Sequence, residues 1–455
     1  MHGTDVLTSE PRTALRAMAV PIVISLLVAQ INAFADTFWC SGLGGEALAA
    51  LGLGIPMYAV VAGIGNGMGI GISAAGANRI GAGKRDEAAE IVRQAIPAML
   101  IVSLAAALLF LLAGRPVVDW MGSGGSVSGE AWEYCIPCFI CSAAIIMPNI
   151  YAGALRAEGD AGRSMYILAF GALLNMVLDP VFAYGLGYGI SGLAWATSVS
   201  SAAAAVPAAY WYHVKKDTEL RISYGGFRFR KGPVKAFSSI GVPKAVELDI
   251  FYIFNILMLY FFVKVGGPDG SALYNSAYKY VDLIGVIPAG IGGAIATVCS
   301  AQFGMGDFGR IRRTVSEGLK ISLIAVTAAA AVLFVFSDWF AAVFASGDSA
   351  YLRADLARTI RLYCLFIPIL VLRDIGSAQL QSIRMAGSSM ASALIRNLEM
   401  TAAFWAASYF SLDAEWWALI TGHWLGALLM WAWAEWGLRL REREHRKAEA
   451  GREAA

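Results

Sequence analysis

Long apolar stretches alternate with short polar breaks from end to end of this chain, and twelve of the stretches are long enough to cross a bilayer. A hydrocarbon core takes about 20 apolar residues of helix. The stretches run at 16–40, 48–77, 94–114, 131–155, 163–186, 190–213, 237–264, 271–302, 315–337, 358–382, 389–411 and 414–438. The second and eighth are long enough to overrun the hydrocarbon or to tilt within it. The first is too long, and too weakly basic at its start, for a cleaved signal peptide. The pattern predicts an all-α membrane protein with 12 transmembrane helices, and an even count puts both termini on one side.

Basic residues sort into alternate loops. Arg79, Lys84, Arg85 and Arg93 follow the second stretch, and Arg156 and Arg163 the fourth. Seven more, from Lys215 to Lys235, follow the sixth; Arg310, Arg312 and Arg313 follow the eighth; and the tail adds Arg439, Arg441, Arg443, Arg446 and Lys447. The loops 41–47, 185–192 and 412–415 carry no Lys or Arg. Positive charge stays on the cytoplasmic side, so both termini are expected there, in a multi-pass protein of the cell membrane.

Composition narrows the class further. Of 455 residues, 58% are hydrophobic and 15% charged, against about 45–50% and about 25% in soluble domains. So few charges cannot cover a water-facing surface of this size. That excludes a soluble enzyme, a disordered chain and a disulfide scaffold. A net charge of +2 gives no global field for nucleic acid.

The longest polar segment, Lys215–Lys235, divides the chain in two. The expected organisation is a first lobe at 1–214, a linker at 215–236, a second lobe at 237–438 and a cytoplasmic tail at 439–455. The lobes echo each other. Pro21 matches Pro243, Gly81-Ala82-Gly83 matches Gly304-Met305-Gly306, and Arg156-x-x-Gly159 with Met165 matches Arg384-x-x-Gly387 with Met390. The offsets are 222, 223 and 228. Six helices per repeat keep both halves in one orientation, which predicts pseudo-symmetric lobes with a substrate path between them.

Charged groups inside a membrane are costly and face protein or water. Asp36 lies late in the first stretch. Asn175 and Asp179 stand four apart in the fifth, on one helix face. Pro180 follows and leaves the Met176 carbonyl without its helical donor. With Thr197 in the sixth, these make an all-oxygen set suited to a shared proton or to Na⁺; harmless pairing near the interface is the alternative. The second half holds Lys244, Glu247 and Asp249, then Lys279 and Asp282, Arg373 and Asp374, and Arg396 and Glu399. Opposite charges three apart suggest internal ion pairs, and a substrate cavity and a static network stand equally open.

These residues resemble the multidrug and toxic compound extrusion (MATE) family, in its prokaryotic, DinF-like branch. The resemblance rests on Pro21, Asp36-Thr37, Leu43-Gly44 and Ala47-Leu48; on Gly81-Ala82-Gly83 and Arg156-Ala157-Glu158-Gly159-Asp160 with Met165; and on Asn175–Pro180 and Gly192–Thr197. It implies a V-shaped pair of six-helix lobes and cation-coupled efflux of cationic, amphiphilic small molecules by a monomer. It also implies a coupling site at Asp36, Asn175, Asp179 and Thr197, bending of the first helix at Pro21, and no cofactor beyond H⁺ or Na⁺. Asn32 stands where family members often have tyrosine. Asp374, and either Glu247 or Asp249, match acids that other branches use.

Other signals are weaker. Cys135-x-x-Cys138-x-x-Cys141 surrounds Pro137 inside an apolar stretch without a fourth ligand at ferredoxin spacing, so no metal is expected. Glycine at every second position from Gly65 to Gly71 reads as a packing surface, and His423 as a hydrogen-bonded packing residue. A lipid-linked oligosaccharide or peptidoglycan-precursor flippase of the same superfamily is the nearest alternative, kept open by Lys244, Lys279, Arg373 and Arg396. An intramembrane transferase would need an acidic catalytic cluster in a loop, which the sequence lacks.

Overall fold

The computed structural model describes residues 3–121, 125–345 and 347–453, and these contain helices and no strand. A short helix, Thr4–Thr8, precedes the first span, Pro11–Ser41. Spans two and three are Gly45–Gly81 and Arg85–Met121. Span four is a pair, Ser126–Ile140 and Ser142–Ala157, bent by 53°. Span five, Ala161–Pro180, widens after its proline into the π-turn Val181–Gly185, and span six, Gly189–Ala209, does so at Tyr210–Lys215. Spans seven and eight form one helical run, Lys231–Gly304, which folds back at Gly267 (φ 62°, ψ −153°) just before Pro268. Phe262 and Tyr274 stack across that hairpin at 4.7 Å.

Span nine is Phe308–Val335; Ser337–Phe344 and the 3₁₀ turn Gly347–Leu352 lead into span ten. Span ten comprises Arg353–Tyr363, the 3₁₀ turn Ile367–Ile369 and Leu370–Ser382, followed by span eleven, Ala386–Ala407, and span twelve, Leu412–Glu453. The result is the twelve-helix membrane fold expected. Length and apolarity alone pick out only seven helices, or eight with the bent pair. The 74-residue run holds two crossings, span ten is broken, and spans eleven and twelve carry buried charge and tryptophan.

Helix ends overrun the apolar limits. Span seven starts at Lys231 and span twelve runs on to Glu453, because helical hydrogen bonds continue where hydropathy stops. Residues 454 and 455 of the tail lie outside the described residues.

The repeat motifs do identifiable work. Gly83 and Gly306 both hold left-handed backbone (φ 73° and 75°) in the turns after spans two and eight. Gly81 and Gly304, two residues earlier, bring those spans together: a Cβ on Gly81 would stand 2.6 Å from the Ala301 carbonyl carbon, and one on Gly304 3.0 Å from the Ala82 nitrogen. The third match needs a different register. After span four the left-handed residue is Gly159 (φ 85°), and after span ten it is Arg384 (φ 60°). The equivalent of Arg384 is therefore Gly159 and not Arg156, since a tight turn between helices fixes which position takes positive φ.

The lobes meet along a glycine ladder. Gly63, Gly67 and Gly71 of span two face Asp249, Ala245 and Gly241 of span seven; a Cβ on Gly67 would lie 2.5 Å from the Ala245 Cα. Nearer the termini, Ser73 and Thr297 share a hydrogen bond at 2.7 Å, Asn78 donates to the Ser300 carbonyl at 3.1 Å, and Arg384 donates to Asn78 at 2.5 Å. Arg310 donates to the Thr8 carbonyl at 2.8 Å, and Arg12 pairs with Glu317 at 3.8 Å. Among the described residues, the direct hydrogen bonds and ion pairs between the halves all lie at this terminus-side end.

Candidate functional site

In the first lobe, spans one and five bring four polar side chains into a ring. Asn32 sits one helical turn before Asp36, and Asn175 one turn before Asp179, so each span offers an amide and a carboxylate on one face. The Asn32 amide donates to Asn175 Oδ1 at 2.7 Å and reaches Asp36 Oδ2 at 3.5 Å. Asn175 donates to Asp179 Oδ1 at 2.9 Å. The Asp36 and Asp179 carboxyl groups are close neighbours and complete the set. Asp36 Oδ1 and Asp179 Oδ2 are buried with no donor side chain on them. Two carboxylates this close repel when both are ionised, so the ring is complete with a proton or a cation between them.

The ring borders a cavity of about 250 Å³ lined also by Tyr58, Tyr134, Asn149 and Thr197. Thr197 lines that space but spends its hydroxyl on the Leu193 carbonyl at 3.0 Å. Asp179 is fully buried behind Asn175. Asn32 is a ring member that sequence reasoning had set aside as a departure from the family pattern; its spacing of four from Asp36, mirroring Asn175 and Asp179, was the available signal. Pro21 lies in the terminus-side half of span one, where it leaves the Ala17 carbonyl without a helical donor, and Pro180 marks the switch to the π-turn.

A larger cavity of about 460 Å³ lies between the lobes. Span one forms its partition from the smaller one, since Ala29 lines both, while Gln30 faces the larger and Asn32 the smaller. The second-half charges are divided between the larger cavity and its surroundings. Lys244 pairs with Glu247 at 2.7 Å, and Glu247 also accepts from Ser389 at 2.7 Å and Ser377 at 3.0 Å. Arg373 pairs with its neighbour Asp374 at 2.7 Å. These serines were not legible as site residues, because a hydroxyl carries no charge to mark it in an apolar span.

The other expected pairs do not form. Lys279 and Asp282, and Arg396 and Glu399, are three apart yet make no ion pair among the described residues. Lys279 stands 5.7 Å from the Phe34 ring, and Asp282 lines the cavity. Residues three apart on a helix meet only if both side chains turn toward each other, and here they turn to other surroundings. Asp249 Oδ1 and Glu399 Oε2 are buried without a hydrogen-bond partner among the described residues, and Asp249 abuts Gly63. His423 stacks on Phe366 at 4.5 Å, which is a packing role, but neither ring nitrogen has the expected hydrogen bond. Cys135, Cys138 and Cys141 are free thiols.

Comparison with known proteins places these features in context. A family model described as MatE matches the chain twice, over residues 21–181 and 243–401. An FAD transporter of Shewanella oneidensis is 22% identical over 349 residues, covering 76% of each chain. A probable multidrug resistance protein NorM of Thermotoga maritima is 23% identical, covering 74% of this chain and 73% of that one. Among solved structures, an outward-facing multidrug resistance transporter of the MATE family and MOP superfamily superposes with a TM-score of 0.93 at 27% identity, over 97% of this chain and 99% of the other.

Proposed function

Because the chain belongs to the MatE family, we propose that this membrane transport protein exports amphiphilic drugs or toxic metabolites from the cell in exchange for H⁺ or Na⁺. The Lys and Arg bias supports a cytoplasmic position for the terminus-side end, in the cell membrane. The observation that carries the reading is the set of Asn32, Asp36, Asn175 and Asp179, joined by amide hydrogen bonds, with its two carboxyl groups as close neighbours. An ionised pair takes up a cation from the outside, which removes the repulsion between the two carboxylates. Span one then shifts about Pro21, and because it partitions the two cavities, its movement narrows the substrate path.

The contacts joining the lobes at the terminus-side end support an outward-open state, from which cargo leaves and the cation enters. Alternating access then requires those contacts to break as the far ends close. The cationic cargo implied by the resemblance meets Asp282, a cavity carboxylate without an ion-pair partner among the described residues.

Proteoliposomes loaded with ethidium test the reading under an imposed pH or Na⁺ gradient. We expect one gradient to drive transport and Asp36→Asn to slow it by about tenfold or more, the equivalent of about 1.4 kcal/mol. Full gradient-driven transport by Asp36→Asn would remove the ring from the mechanism.

A further inference from the structure

The inter-lobe cavity carries more positive charge than its own acids balance. Its lining includes four basic residues, Arg156, Lys244, Arg373 and Arg396, and three acids, Glu247, Asp282 and Asp374. Two pairs are internally satisfied, Lys244 with Glu247 and Arg373 with Asp374, each at 2.7 Å. Arg156, Arg396 and Asp282 remain, none with an ion-pair partner among the described residues. Two guanidinium groups and one carboxylate of the lining are thus left without a direct ion pair.

Arg396 is the better defined of the two. It is 6% exposed, and its Nε is buried with no acceptor. Among the described residues its one hydrogen bond runs from Nη2 to Asn397 Oδ1, at 3.3 Å. Asn397 is 1% exposed, and its own Nδ2 likewise has no acceptor. Gly426 makes room for the aliphatic stem: a Cβ there would lie 2.9 Å from the Arg396 Cβ, so the side chain is held in place. Glu247, Asp374 and Glu399 act on Arg396 only from beyond ion-pair distance; a buried guanidinium without a direct partner is costly, and the cost is recovered when an oxyanion accepts from the free N–H groups. Arg156 repeats the theme from the other lobe, 9% exposed and, among the described residues, with a single 3.5 Å bond to Ser164.

We infer that the inter-lobe cavity binds amphiphiles by an acid group, a carboxylate or a phosphate, held by Arg396. Arg156 supplies a second positive wall, and Asp282 admits a cation on the same molecule, so zwitterions fit as well as anions. Tyr252 and Tyr278 give the cavity aromatic faces for the ligand's ring system. A volume of about 460 Å³ lies within the range of small-molecule sites, about 300–1,000 Å³. The inference rests on reading this cavity as the substrate path.

Two xanthene dyes of similar shape and opposite charge test it: fluorescein, an anion, and rhodamine 123, a cation. Binding to the purified full chain in detergent is read by fluorescence polarisation. Arg396→Gln should weaken fluorescein about tenfold or more, the worth of one charge-assisted bond, and leave rhodamine 123 unchanged. Arg396→Lys should restore part of the loss. Competition against fluorescein by 1-naphthoate or by 1-naphthyl phosphate assigns the acid group as carboxylate or phosphate. Fluorescein binding that is absent in the wild type, unchanged in Arg396→Gln, or lost together with rhodamine 123 would overturn the inference. If Arg396→Gln does not fold, Arg156→Gln takes its place under the same criteria. Asp36→Asn separates the two readings, because it should block gradient-driven transport while fluorescein still binds. A wild type that binds as expected but ignores both gradients would retain the acid subsite and defeat the antiporter.

Discussion

Glu158 closes span four with its carboxylate 1% exposed, accepting from the Leu220 backbone N–H at 2.8 Å and the Tyr212 hydroxyl at 3.3 Å. It ties the segment after span six to the turn between spans four and five. Burial pushes its pKa from 4.5 up to about 8, and these two donors offset only part of that rise. The folded protein therefore binds this proton more tightly than the unfolded chain does. The resulting stability is full below about pH 4.5 and is lost as pH rises through about 8. Glu158→Gln keeps an acceptor for Leu220 and removes the titration. We expect its thermal midpoint to match wild type near pH 5 and exceed it near pH 9, measured by scanning fluorimetry across that range. At this scale the sequence marked charges and missed their neutral partners. Asn32, Ser377 and Ser389 have polar roles that depend on what the fold sets opposite them.

Among the elements, span two shows how much a local pattern carries. Positions two apart on a helix point about 200° from each other, so glycine at every second place makes two bare faces rather than one. Gly63, Gly67 and Gly71 form the face against span seven, and Gly65 and Gly69 the face against Ile146 and Asn149 of span four. Close packing was legible from the spacing; the identity of the two partners was not. Gly67→Leu places a side chain where the Ala245 backbone now stands. We expect it to hold spans two and seven apart, so that a cysteine in place of Ser73, buried in the wild type, reacts faster with a membrane-impermeant maleimide. Unchanged labelling would mean that the ladder does not set the closure. The hairpin at Gly267 falls in the gap between the apolar stretches 237–264 and 271–302, whereas no such gap marked the 53° bend in span four or the 3₁₀ turn in span ten. Prolines stand beside both, Pro137 just before the bend and Pro368 within the turn, as local helix breakers.

For the molecule as a whole, the terminus-side contacts join lobes that elsewhere leave a cavity between them. Ser73 and Thr297 lie across that closure with their hydroxyl oxygens 2.7 Å apart. Cysteines at both positions should form a disulfide, stop gradient-driven transport and release it on reduction; continued transport by the cross-linked protein would exclude separation of these ends from the cycle. Twelve spans, their division into two halves and the expected charge asymmetry of the loops all follow from the sequence, because each depends on residues close together in the chain and on the cost of polar groups in hydrocarbon. Tertiary structure decided the rest. It brought Asp36 and Asp179 together beside Asn32 and Asn175, paired Lys244 with Glu247 but not Arg396 with Glu399, and left Arg396 lining a cavity without a direct ion pair among the described residues. The partner of a buried charge is set by whichever helix packs opposite it, and spacing along one helix does not contain that information.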